Sequence, residues 1–159
     1  MIKLGKIKVD VKNYLPDLPA LFQKRDEVIA AYLFGSYARG TVGPLSDVDV
    51  AVLFDEGSDT DRIYLKLCVE VSKALHTDEV DLVILNEAPV TLKYNILKEG
   101  KLLFCRDETK RIRFQVRVIN DYIDTKPLRG IYNRELFRRI KEGTPSGRYW
   151  FYRKALRDT

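Results

Sequence analysis

Residues 34–54, FGSYARGTVGPLSDVDVAVLF, decide how this chain reads. They begin at the end of one apolar run, VIAAYLF at 28–34, and finish inside a second, VAVLF at 50–54. Between the runs lie a Gly-Ser turn (Gly35, Ser36), a short glycine-rich loop carrying Arg39, and an Asp-x-Asp pair, Asp47 and Asp49. Both runs have strand length, and the first, apolar without interruption, is expected to be buried on both faces. Side chains two apart on a strand share a face. If 48–54 is a strand, Asp47 and Asp49 therefore present two carboxylates to one side, their Cα atoms about 7 Å apart at ~3.3 Å rise per residue. Hard divalent cations such as Mg²⁺ take oxygen ligands of this kind and share them with substrate phosphates. The Ser36 hydroxyl and the turn N–H groups would supply phosphate donors opposite the metal. Residues 36–40 are predicted as the first turn of a short helix whose N-terminus favours an anion.

Composition limits the alternatives. With 159 residues, 45% hydrophobic and 32% charged, the chain suits one soluble domain with room for a helical appendage. No run approaches the ~18–20 apolar residues that span a bilayer, and the start, MIKLGKIKVD, lacks the apolar core of a signal peptide. Cys68 and Cys105 stand among apolar neighbours without metal-ligand spacing and are read as buried, reduced core residues of a cytoplasmic protein. A single histidine, His76, excludes a His-rich metal centre. Charge is uneven: residues 1–100 carry 12 Lys and Arg against 16 Asp and Glu, whereas 101–159 carry 16 against 7. A basic C-terminal third suits contact with an acidic partner, an RNA or a charged protein surface, or else forms a solvated helix face.

The rest of the chain orders itself around the central stretch. Residues 2–11 alternate weakly, as an edge strand or an unstructured lead. A helix is expected from Asp17 to Asp26 or Glu27, with Leu18, Leu21 and Phe22 inward. A second, capped near Ser58–Asp61, carries Ile63, Leu67, Val71 and Leu75 at helical spacing. EVDLVIL at 79–85 reads as a third strand. Pro89 opens a helix that Gly100 closes, and KLLFC at 101–105 extends after it. A long helix from Asp107 shows Ile112, Val116, Ile119 and Tyr122 on one face, is broken at Pro127 and Gly130, and resumes to Lys141. Gly143–Gly147 is a loop, and the closing RYWFYRKALRDT is aromatic and basic. The division expected is 1–105 for the catalytic domain and 106–159 for a helical, basic extension packing on it or on a partner.

GSYARG followed by PLSDVDVAVLF resembles the signature of the DNA polymerase β-type nucleotidyltransferases. The short length makes the chain most similar to the minimal nucleotidyltransferase (MNT) proteins, which include MNT antitoxins paired with HEPN-type RNase toxins. The likeness covers roughly residues 28–100. It implies an α/β (α+β) fold, a mixed sheet flanked by helices with a helical C-terminal extension, and nucleotidyl transfer from an NTP. It also implies a third carboxylate on a neighbouring strand, and Asp81 matches by position. Its bland alternative is a strand-end cap or a salt bridge. Asp78 and Glu79 read as surface acids.

By the same resemblance Asp47, Asp49 and Asp81 hold two Mg²⁺ ions, and Gly35, Ser36, Arg39 and Ser46 bind the nucleotide. Arg39 either steadies its loop or neutralises triphosphate charge. Gly35 and Gly40 permit close backbone approach, Ser46 caps or orients Asp47, and Tyr37 either lies near the nucleotide or packs in the core, the core being favoured. The activity implied is transfer of AMP from ATP to a tyrosine of a cognate HEPN toxin. Two other readings stand beside it: a small-molecule, aminoglycoside-type nucleotidyltransferase, disfavoured by the basic C-terminal third, and a non-catalytic antitoxin that binds and occludes.

Overall fold

A computed structural model describes residues 10–143. The lead at 2–9 and the aromatic C-terminal segment lie outside them. The chain divides into two compact units, residues 1–119 and 120–159, and each is taken by itself.

The first unit is built on a four-stranded mixed sheet in the order β3-β2-β1-β4. Strand β1 (Val28–Phe34) lies between β2 (Val48–Phe54) and β4 (Lys101–Cys105), antiparallel to both. Strand β3 (Val80–Ile84) runs parallel to β2 on the outer edge. The two-faced burial expected of β1 holds: Val28 to Leu33 are all buried. Inward-facing residues then sort onto two sides. Val48, Val50, Val52 and Phe54 of β2 join the core beneath α1 (Leu18–Gln23) and α3 (Thr60–Leu75). Ala51 and Leu53 join the opposite core, with Ile96 of α4 (Val90–Glu99).

Local chemistry explains most of the boundaries. The Asp59 carboxylate caps α3 by accepting the Arg62 N–H at 3.3 Å. Leu67, Val71 and Leu75, one turn apart, are fully buried, each contributing about 1.5–3 kcal/mol relative to exposure. His76 ends that helix in the left-handed region at φ 54°, its ring 4.3 Å from Tyr14. The first helix is shorter than expected: α1 stops at Gln23, where the Lys24 and Arg25 N–H groups turn back to Leu21 and Phe22 carbonyls. Gly100 does follow α4, but with φ −70° rather than in a left-handed cap. Its glycine is needed for space, since a Cβ there would collide with the Ile96 carbonyl. Cys68 and Cys105 are free but only half-buried, and the Cys105 thiol donates to Glu108 at 3.3 Å.

Helix α5 (Glu108–Glu142) departs from expectation twice. Within the first unit its inward residues are Phe114 and the buried Val118. Ile112 and Val116, expected inside, are about half exposed. The reason is tertiary: Phe114 packs on the α4 cluster, with Lys93 Nζ 5.7 Å from its ring centroid, and that fixes the helix's rotation. Within the second unit the expected break at Pro127 and Gly130 does not occur. Proline removes one backbone donor from a helix interior, and here side chains brace the preceding turn. Thr125 Oγ1 donates to the Asp121 carbonyl at 2.7 Å, and Arg129 donates to the Tyr122 carbonyl at 2.7 Å while stacking on the Tyr122 ring. Among the described residues no helix is long and apolar enough to cross a membrane.

Candidate active site

The site forms at one end of the sheet, where β1 finishes and β2 and β3 begin. Residues Gly35–Arg39 make a single short helix, α2, following extended Phe34. Gly40 closes it with φ 72°, and the Gly40 and Thr41 N–H groups both return to the Ser36 carbonyl. The two glycines therefore serve different ends. Gly40 has open space around it and is needed for its handedness alone, so the close approach expected there is absent. Gly35 (φ 69°) is needed twice over, because a Cβ would run into the Asp49 carboxylate. The Gly-Ser turn and the Asp-x-Asp pair, fourteen positions apart from Gly35 to Asp49, thus meet directly.

Asp49 sits in β2 and Asp47 just before it. Parallel pairing sets Asp49 opposite Asp81 of β3, side by side on one face of the sheet. Asp81 is exposed on the edge strand, so its carboxylate bears little desolvation cost. Strand register is what places it. The Asp49 carboxyl is held above the usual carboxylate range, first by burial and then by the negative charges of Asp81 and Asp47, with Arg39 acting against them. The charges of Asp81 and Asp47 thus reach Asp49 and oppose its ionisation.

The remaining predicted residues fall nearby in different ways. The Arg39 guanidinium stands 4.0 Å from Glu99 at the end of α4, both side chains more than half exposed. The Ser46 hydroxyl accepts the Gly43 N–H at 2.8 Å and closes the loop before β2. Tyr37 packs against the core beneath α1 and α3, as expected, and burial raises its phenol. Glu99 was not legible as a site residue. Its only signal in sequence is a place at the end of a helix that topology brings beside α2.

Among the described residues, no three His, Cys, Asp or Glu side chains are gathered into a ready-made metal site. The donor chemistry nevertheless fits a hard divalent cation. All the donors are carboxylate oxygens, and their mutual repulsion at Asp49 is what a bound cation would relieve.

Residues 17–109 match the family described as polymerase beta, nucleotidyltransferase, and the chain belongs to it. Its four-stranded mixed sheet with flanking helices agrees with that fold. Among individual proteins it is similar to the protein adenylyltransferase MntA of Shewanella oneidensis, 36% identical over 91 residues covering 57% of this chain and 63% of that one. The matched stretch thus spans somewhat less than two thirds of that relative. The protein adenylyltransferase MntA of Aphanizomenon flos-aquae is 28% identical, over 60% of this chain and 69% of that one. A crystal structure of a toxin-antitoxin with AMP-PNP superposes with a TM-score of 0.65 at 28% identity, covering 79% of this chain and 98% of its counterpart.

Proposed function

We propose that this chain is an antitoxin that transfers AMP from ATP to a tyrosine hydroxyl of a cognate HEPN RNase toxin. The observation that supports the reading is the Asp49–Asp81 register beside Gly35, which brings two carboxylates next to the Gly-Ser turn, with Asp47 just before them in sequence. The adenylyltransferase names of the relatives and the AMP-PNP of the neighbouring structure support the nucleotide and the acceptor class.

In the proposed reaction the acceptor oxygen attacks the α-phosphorus of ATP. The bond from that phosphorus to the α–β bridging oxygen breaks, pyrophosphate leaves, and the hydroxyl proton passes to solvent or a carboxylate. Bound at Asp47, Asp49 and Asp81, two Mg²⁺ ions would supply charge neutralisation at the attacking and leaving oxygens. Ser36 and the N–H groups of its turn hold the terminal phosphates, Arg39 offsets their charge, and Ser46 keeps the loop before Asp47 closed. The C-terminal extension, 106–159, contacts the toxin. Of its described cations, Lys110, Arg111, Arg117, Arg138 and Arg139 pair with acidic side chains of the chain itself.

The test is intact mass spectrometry of the toxin after incubation with this chain, Mg²⁺ and ATP. Addition of AMP by the wild type, reduced more than about a hundredfold by Asp49→Asn, is the expected result. Tight binding of toxin with no added mass would replace the proposal with occlusion.

A further inference from the structure

A cavity of about 320 Å³ lies between α2 and α4. It opens on the same face of the sheet as the carboxylates, because Asp49, Ala51 and Leu53 alternate along β2 and the latter two pack with Ile96 of α4. Its walls are Phe34, Leu92 and Ile96, and its polar groups are Asn95, Arg39 and Glu99. Gly35 belongs to both places: it lines the cavity, and its Cα side abuts the Asp49 carboxylate. A ligand with its phosphates on the Gly-Ser turn therefore has its other end beside this opening.

We infer that the cavity receives the nucleoside end of the triphosphate substrate and that Asn95 reads the base. The inference rests on the nucleotidyltransferase reading above and adds a specificity residue to it. The volume is at the low end of small-molecule sites, which are apolar with a few placed polar groups. It suits a base and ribose and is too small for a whole nucleoside triphosphate. Asn95 is exposed, and its carboxamide makes no hydrogen bond to another described residue. A carboxamide pairs its carbonyl and N–H with the N6 amino group and N7 of adenine, whereas guanine offers two acceptors at the corresponding edge. Arg39 at the rim faces the phosphates, and its exposed pair with Glu99 is the weak kind that exchanges readily for a stronger anion.

Calorimetry on the full chain with Mg²⁺ tests this, using AMP-PNP, GMP-PNP and inorganic triphosphate as probes. Wild type is expected to bind AMP-PNP about tenfold tighter than GMP-PNP, a difference Asn95→Leu reduces to roughly twofold. Leu92→Trp, which fills the cavity, is expected to weaken both analogues by more than about tenfold. Neither variant is expected to change triphosphate affinity. Unchanged analogue binding in both variants overturns the inference while leaving the phosphate site intact. A rise only in the KM for the protein acceptor, with nucleotide binding intact, overturns it by assigning the cavity to the acceptor ring. If wild type binds none of the three probes, the nucleotidyltransferase reading itself fails.

Discussion

The two ends of the sheet treat charge in opposite ways. At the end where β1 starts and β2, β3 and β4 finish, polar groups answer one another. Asn86 accepts the Phe54 N–H and donates to the Phe54 carbonyl, both at 2.9 Å. Arg106 donates to the carbonyls of Phe22, Gln23, Arg25 and Val28. Lys110 holds both oxygens of Asp55 at 2.8–2.9 Å and keeps that carboxyl below its ordinary range, and Arg25 grips Glu70 through two bonds. At the other end Asp49 is pushed the opposite way by burial, Asp81 and Asp47. Two aspartates six residues apart, near the two ends of one strand, are thus shifted in opposite directions. One end of the sheet is finished as structure, and the other keeps an unfavourable charge arrangement that a cation and a triphosphate would complete.

The sharpest way to break this contrast is Gly35→Ala. It puts a side chain at φ 69° and against the Asp49 carboxylate. AMP transfer should fall by more than about a hundredfold, with stability lower by roughly 1–2 kcal/mol from the left-handed backbone alone. Chemical denaturation together with the mass assay measures both, and a stable, active variant would show that the close approach is dispensable.

Arg106→Ala should do damage of the other kind. It strips donors from four carbonyls and should cost roughly 2 kcal/mol in denaturant unfolding, with little change in transfer per folded molecule. An equal loss of activity at full stability would mean that the two ends are coupled.

Asp49→Asn separates function from stability. In the folded chain Asp49 titrates above its unfolded value, so as pH rises the unfolded state ionises first. The resulting penalty is absent below the ordinary carboxylate range and complete above the folded value. The inactive Asn variant should therefore melt higher than wild type at pH 7, by about 2 °C, with the gap closing in acid and in excess Mg²⁺. A variant that melts lower at pH 7 would contradict the account of crowded carboxylates.

The smallest effect belongs to Lys110→Ala. The pair with Asp55 is exposed on both sides, so the melting temperature should change by less than about 2 °C. Thermal scans at low and high salt would check it, the difference shrinking as screening rises.

Much of this was legible in the residues before any fold was known. VIAAYLF read as a strand buried on both faces, Leu67, Val71 and Leu75 read as part of the inner stripe of a helix, and the Gly-Ser and Asp-x-Asp elements marked the nucleotidyltransferase family. These are local facts, set by chain periodicity and by the chemistry of neighbours in sequence. What the tertiary structure decided are the relations between elements. Register across β2 and β3, not burial, sets Asp81 beside Asp49. Packing of Phe114 on α4 turned Ile112 and Val116 outward against their helical pattern. Arg129 and Thr125 carried a helix through Pro127, which sequence rules treat as a stop. Glu99 and Asn95 acquired their interest only when topology laid α4 along α2. Distance along the chain does not encode proximity in space; pairing and packing create it, and the chemistry of this site depends on that proximity.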